Sequence, residues 1–211
     1  MDWNDRIGNV QYYLGFNLYD SRTKITKYDN EVGLLGKDSD GNLIYRKGME
    51  LGEIWGYTTD RLYTTEDFDS QGKLKNNIPK MEGYNPNPGD ILYVDFDGNG
   101  IINNGKNTSN EPGDTHIIGN DTRRYQYGIR GGAAWKGISL SFILQGVGKR
   151  DLWLMNELFY PHYDAYSTLF DSQLNYWTPE HTNSYFPRLY EKAEGNTKAC
   201  LLYTSPSPRD R

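Results

Sequence analysis

The residues best suited to chemistry in this 211-residue chain lie between positions 95 and 114. Asp95-Phe96-Asp97-Gly98-Asn99-Gly100 reads D-x-D-x-N-G, the opening of a calcium loop of the EF-hand type. Calcium takes about six to eight oxygen ligands, and alternating oxygen-bearing side chains around a glycine-permitted turn bring several of them to one point. On that pattern Asp95, Asp97 and Asn99 ligate through their side chains and Ile101 through its carbonyl. The closing position departs from it: Lys106 stands where a bidentate Glu is required. Asp114 can supply the missing ligand if Asn103 to Gly113 is an insertion looped out of the site. The competing reading is an Asp/Gly β-turn that binds nothing.

No reaction chemistry is nominated beside this loop. His116, His162 and His181 lack metal-ligand spacing. There is no G-x-S-x-G elbow or phosphate-binding loop. With 28 Asp and Glu, no single pair stands out as a glycosidase dyad. The chain is expected not to be an enzyme. Trp55, Trp153 and Trp177 offer flat apolar platforms for sugar rings, although packing loop against loop is the commoner use of such residues.

The elements that must position these groups are strands. Tyr is 18 and Gly 23, while only 36% of residues are hydrophobic, a composition short of the strong helix formers Ala and Leu. Val10, Tyr12, Leu14, Phe16 and Leu18 recur with period two after a tight-turn pair, Gly8-Asn9. A second alternating stretch carries Tyr125, Tyr127, Ile129, Gly131, Ala133 and Trp135, then Lys136-Gly137, then Ile138, Leu140, Phe142 and Leu144. A two-residue turn at Lys136-Gly137 pairs Trp135 with Ile138, Ala133 with Leu140, Gly131 with Phe142, Ile129 with Leu144 and Tyr127 with Gly146 on one apolar face. The opposite face then holds Ala134 with Ser139, Gly132 with Ser141, Arg130 with Ile143, and Gly128 with Gln145. Arg130 and Gln145 are the candidate polar contacts on that side.

The net charge of −5 and pI near 5.2 leave no basic surface of the kind nucleic acid requires, so no nucleic-acid partner is expected. No run of 18 apolar residues is present, which excludes a membrane-spanning helix. A transmembrane β-barrel is not excluded, because each strand needs only about 9–11 residues with alternate ones facing lipid. Tyr125 to Trp135 has that length and carries aromatics at both ends, where a barrel places its girdles. A hairpin of a soluble sandwich alternates in the same way. Positions 26–123 are dominated by Asp, Asn, Gly, Pro and Lys, with short candidate strands at Leu43-Ile44-Tyr45 and Ile54-Trp55-Gly56-Tyr57. So long a polar connection suits the extracellular loop of a barrel better than a compact soluble domain. Asp151 to Tyr160 carries a weak amphipathic pattern compatible with a short helix.

Met1-Asp2-Trp3-Asn4-Asp5 has neither the basic nor the apolar region of a signal peptide, so an exported protein would carry a different N-terminus. Cys200-Leu-Leu-Tyr-Thr-Ser-Pro-Ser-Pro-Arg-Asp210 resembles a translated sequencing adapter. Positions 200–211 are therefore set aside as an artefactual tail, the alternative being a Pro/Ser-rich disordered end.

Several motifs resemble those of the SusC/RagA family of TonB-dependent outer-membrane receptors. Gly8 to Tyr28 is similar to a family strand with an SDxRxKITK-type end, here Asp20-Ser21-Arg22-Thr23-Lys24-Ile25-Thr26-Lys27. Gly52 to Asp60 resembles IGxxYGYxTDG, with Arg61 where Gly is usual. Pro88 to Ile102 resembles PGDIKYxDxNGDGxI, followed by Asp114 and Ile117-Ile118-Gly119-Asn120. The hairpin is similar to YGIxxxxxxKGxxLSxxLQGVG, and Tyr176-Trp177-Thr178-Pro179-Glu180 with Tyr185 to Leu189 to YWTPExxxxxYPRL. The resemblance implies an all-β fold: part of a transmembrane antiparallel barrel of about 22 strands with long extracellular loops. Strands are expected at about 10–25, 124–135 and 138–148, and extracellular loops at about 26–123 and 149–199. Arg130 and Gln145 would face the lumen. The resemblance also implies residence in the outer membrane of a Gram-negative bacterium and TonB-energised import of glycan or peptide fragments. A SusD-like surface lipoprotein would be the lid, and TonB would engage parts of the protein beyond this chain. The alternative function is a calcium-stabilised, β-rich surface module that binds polysaccharide without transport.

Overall fold

The computed structural model describes residues 1–36, 43–152 and 168–190. The chain is all-β: among the described residues there is no α-helix, only two short 3-10 turns at Thr65–Asp67 and Asp171–Leu174. Four strands, β1 (Asp2–Ile7), β2 (Val10–Tyr19), β9 (Arg124–Trp135) and β10 (Ile138–Lys149), form one antiparallel sheet in the order β1-β2-β9-β10. Six shorter strands lie between them in sequence: β3 (Glu53–Tyr57), β4 (Thr59–Leu62), β5 (Lys80–Met81), β6 (Ile91–Tyr93), β7 (Ile101–Ile102) and β8 (Thr115–Asn120). The expected helix at 151–160, Trp153, His162 and the 200–211 tail lie largely or wholly outside the described residues.

The β9–β10 register is the one the period-two pattern predicts, from Ile138 opposite Trp135 to Gly146 opposite Tyr127. Its cause is local. Lys136 and Gly137 both have positive φ, 46° and 88°, the sign pattern of a type I′ turn, whose twist matches that of the flanking strands. Gly8, with φ of 60°, performs the corresponding turn between Ile7 and Val10. That turn closes onto β1, a strand the sequence does not declare because Asp2, Asn4, Asp5 and Arg6 make it polar.

Two extents differ from expectation. β2 ends at Tyr19, where the sequence predicts a strand to about residue 25. The side chain of Asp20 leaves the ladder to accept hydrogen bonds from the Arg124 guanidinium, 2.6 Å from Nη2, and from the Tyr125 backbone N–H. Residues 23–25 instead pair with the 48–51 turn, through Gly48 N–H to Ile25 C=O at 2.7 Å and Leu51 N–H to Thr23 C=O at 2.9 Å. The candidate strand Leu43-Ile44-Tyr45 forms no ladder; Tyr45 meets Tyr28 edge-on at 5.6 Å.

The polar stretch between β2 and β9 is more organised than its composition suggests. β3 pairs with β8, β4 with β6, and β5 runs parallel to β7. Tyr63, Phe68, Ile91, Leu92, Tyr93 and Ile102 form a buried cluster, with Tyr63 and Ile102 almost fully enclosed. The Tyr63 hydroxyl donates to Pro79 C=O at 2.7 Å, which satisfies its one polar atom. Asp67, buried at the end of the first 3-10 turn, accepts both Arg61 guanidinium nitrogens (2.5 and 2.9 Å) and the Thr64 N–H (2.8 Å).

Burial pushes the Asp67 carboxyl up, but its hydrogen bonds to Arg61 and Thr64 outweigh that and hold it below the ordinary carboxylate value. A carboxylate depressed on folding contributes stability above its unfolded pKa of about 4 and loses it as pH falls through the lower folded value. Asp67→Asn is expected to destabilise this unit near neutral pH and to flatten the acid side of its stability curve, read by urea melts at pH 7 and pH 3.

Residues 168–190 pack onto the same unit. Trp177 is 4% exposed and its indole lies over Gly89, whose φ is +89°. Arg188 N–H donates to Gly89 C=O at 2.8 Å. The Asp90 carboxylate gathers the Tyr84 hydroxyl (2.7 Å), the Asn87 N–H (2.7 Å) and the Tyr190 hydroxyl (2.6 Å). Burial and then the Asp90 carboxylate push the Tyr84 hydroxyl up, so it remains a donor. A Cβ at Gly89 would fall within the Trp177 ring and the backbone would be strained as well. Gly89→Ala is expected to release the 168–190 segment, at a cost of about 1–3 kcal/mol, with limited proteolysis reporting cleavage there before the four-stranded sheet.

Candidate functional site

The acidic loop is built by β6, β7 and the start of β8. β6 is buried on all three residues and fixes the chain just before Asp95; Ile102 is fully buried and fixes it just after Ile101. Between them Gly98 and Gly100 have φ of 72° and 82°, so the turn uses both glycines. One carboxylate oxygen from each of Asp95, Asp97 and Asp114 lies within 4.8 Å of the others. Asp95 also accepts the N–H groups of Gly98 (2.8 Å) and Gly100 (2.7 Å). Three negative charges this close repel one another, and a divalent cation converts that repulsion into attraction.

Asp114 joins this cluster from far along the chain because residues 104–113 leave and return at one point. Asp114 N–H donates to Asn103 C=O at 2.8 Å, and Asn103 N–H donates back to the Asp114 carboxylate at 2.9 Å. The second Asp114 oxygen accepts Phe96 N–H at 2.8 Å, and the side chain is fully buried. Lys106, at the twelfth place of the EF-hand count, pairs with Glu111 at 2.8 Å inside the looped-out excursion. Asn99 is committed locally: its amide donates to Asp97 (2.7 Å) and its oxygen accepts Ile101 N–H (2.6 Å). Ile101 opens β7. The structure thus brings together three of the five expected ligands, with Asn99 and Ile101 contiguous to them in the same turn.

The four-stranded sheet presents two unlike faces. On one lie Trp3, Asp5 and Ile7 of β1; Tyr12, Leu14, Phe16 and Leu18 of β2; Ile129 and Trp135 of β9; and Ile138, Leu140, Phe142 and Leu144 of β10, with the one carboxylate, Asp5, accepting the Tyr12 hydroxyl at 3.3 Å. The large apolar side chains of β10 on this face are 46–74% exposed. On the other face lie Asn4, Arg6, Gln11, Asn17, Ser139, Ser141, Arg130 and Gln145, with Tyr13, Ile143 and Val147 among them. Arg130 reaches across Gly15 to Asp2 at 2.7 Å, an ion pair across three strands. Gln145 stands opposite Gly128, beside Asn17 of β2. Arg130 and Gln145 therefore share the polar face. The partner Asp2 is not legible in the sequence because its strand is not.

Both tight turns, Gly8-Asn9 and Lys136-Gly137, are at one end of the sheet, and every long connection leaves from the other. Trp135 marks the turn end; Tyr19, Tyr125 and Tyr127 mark the opposite one. Of the loop tryptophans, Trp177 is packed against Gly89, and Trp55 lies under the Arg46 guanidinium at 5.3 Å with its indole N–H donated to Glu53 at 3.1 Å. His116 stacks on Phe96, ring centroids 3.8 Å apart, and His181 bonds the Asn175 side chain at 2.9 Å.

Compared with known proteins, the chain matches no family model and no curated protein.

Proposed function

We propose that the chain forms part of the wall and extracellular loops of an outer-membrane barrel of the SusC/RagA type, in a protein that imports glycan or peptide fragments. The observation that carries this is the broad, largely exposed apolar face across β1, β2, β9 and β10, broken by Asp5 of β1 alone among its large side chains. Soluble proteins rarely leave so large a contiguous apolar patch open to water. In a barrel that face meets lipid, the polar face with Arg130 and Gln145 meets the lumen, and short turns on one side oppose long loops on the other. Four strands do not close a barrel, since about eight is the smallest transmembrane number, so further strands complete it. The motif resemblance supplies the rest: energy from TonB and a SusD-like lipoprotein lid over the loops.

The acidic turn fits this role as a stabiliser of the loop unit, with Asp95, Asp97 and Asp114 holding calcium and Asn99 and Ile101 completing the set. A surface polysaccharide-binding module without transport is favoured by one feature, the separate buried core around Tyr63 and Ile102. Expression of the full chain without detergent separates the two. The wall reading expects aggregation in buffer and recovery of β-structure in outer-membrane lipid vesicles, because the sheet exposes lipid-facing area and two unpaired edges. A cooperative, monomeric, water-soluble fold would overturn it.

A further inference from the structure

We infer that the cleft between the 72–76 turn, β5 and the acidic turn binds carboxylate- or sulfate-bearing oligosaccharides. The cleft encloses about 500 Å³, within the range of small-ligand sites, about 300–1,000 Å³. Lys73, Lys75 and Lys80 stand around it, Asn76 and Asn85 add amides, and no carboxylate lines it. In a chain of net charge −5 this is a local reversal of sign.

The cations are not spent on ion pairs. Lys73 and Lys80 have no salt-bridge partner among the described residues, and Lys75 Nζ donates to the Glu66 carbonyl at 2.5 Å, which leaves its charge unneutralised. Of the acids around it, Asp69 is turned into its own loop, where it accepts the N–H groups of Gln71 and Lys73 at 2.9 Å each, and Asp95 is turned onto the Gly98 and Gly100 N–H groups. Neither carboxylate lines the cleft.

The frame is fixed. Phe68 bridges Leu74, Lys75 N–H donates to Asp67 C=O at 3.0 Å, and Lys80 N–H donates to Gly100 C=O at 3.3 Å. Gly100 is itself held by Asp95 (2.7 Å), so the acidic turn forms one wall. Leu74 and Ile78 are half-buried in the lining and offer an apolar floor to a sugar ring. The asparagine amides can both donate to and accept from hydroxyls, and ammonium groups select anionic substituents. A neutral glycan that fills the cleft strips water from three cations without compensating them; an acidic one compensates them.

This inference deepens the import reading by naming an acidic substrate class, and rests on that reading only for the transport of the bound glycan. The test uses the full chain refolded in vesicles, with trigalacturonate, a sulfated trisaccharide and neutral maltotriose as separate probes, in calorimetric titrations. Both acidic probes are expected to bind, more weakly as salt rises, with maltotriose at least about tenfold weaker. Binding of only one acidic probe narrows the class to that substituent. The double variant Lys73→Gln/Lys80→Gln is expected to lose about tenfold or more in affinity, while Lys27→Gln, outside the cleft lining, keeps it. Equal binding of maltotriose, or a folded double variant that binds as tightly as the parent, would overturn the inference. Vesicle insertion is scored separately by flotation, so failure of the wall reading is distinguishable from failure of the cleft.

Discussion

Leu144→Arg is expected to cost about 2–4 kcal/mol of folding stability in lipid, while Gln145→Arg, its neighbour in sequence, is expected to change stability by about 1 kcal/mol or less. The two residues are at the same depth of β10, opposite Ile129 and Gly128 near the middle of β9, and differ only in the face they occupy. Leu144 belongs to the apolar face and Gln145 to the polar one. If the sheet is a barrel wall as proposed, a guanidinium on its lipid side at mid-depth has no water and no partner, whereas one on its lumen side is solvated. Urea unfolding of vesicle-refolded chain measures both. If the apolar face met water instead of lipid, the difference would vanish: Leu144 is 56% exposed, and an exposed Leu→Arg change in buffer is close to neutral or improves solubility. Equal small effects would therefore count against the wall as firmly as an inverted pair.

The range of each interaction decides how much of the fold and site is legible in the sequence. The β9–β10 hairpin can be paired residue by residue because its register is set by period two and a turn whose glycine is in place. The end of β2 cannot. It is set by Asp20 meeting Arg124, 104 residues away, and nothing local to Asp20 announces that. β1 escapes a pattern search because only Trp3 and Ile7 of its six residues are apolar, and its face assignment depends on β2 beside it. The loop unit is hidden for a related reason: its core is assembled from single residues and short runs, Tyr63, Phe68, Ile91-Leu92-Tyr93 and Ile102, scattered among Asp/Asn/Gly turns that lower the mean hydropathy of any window. The run Ile91-Leu92-Tyr93, apolar without alternation, is the one local sign of a buried strand. Parity places Arg130 on its face, but Asp2 comes only with β1. For Trp177 the choice between sugar and packing is made by Gly89, distant in sequence and able to receive the indole because it has no side chain.

Calcium is expected to raise the stability of the loop unit by about 2.7 kcal/mol at a hundredfold excess over its dissociation constant, and Asp97→Asn is expected to abolish that gain while leaving metal-free stability nearly unchanged. The separation is possible because the three carboxylates carry different structural burdens. Asp97 is exposed, and its bonds go to the adjacent Asn99 N–H (3.0 Å) and amide. Asp114 is fully buried and holds two backbone N–H groups, those of Phe96 and Asn103. Asp114→Ala leaves both donors unsatisfied and is expected to cost about 1–3 kcal/mol for each with or without calcium. Asp97→Asn removes a charge from the ligand set and little else. Thermal melts of parent and both variants, each in calcium and in chelator, give the full comparison. A parent melt indifferent to chelator would reduce the turn to a hydrogen-bonded structural loop. A calcium shift that survives Asp97→Asn would place the ion away from the three-carboxylate cluster. Loss of the shift in Asp97→Asn, with an unchanged chelator melt, ties the cation to Asp95, Asp97 and Asp114 and through Gly100 to the wall of the lysine-lined cleft.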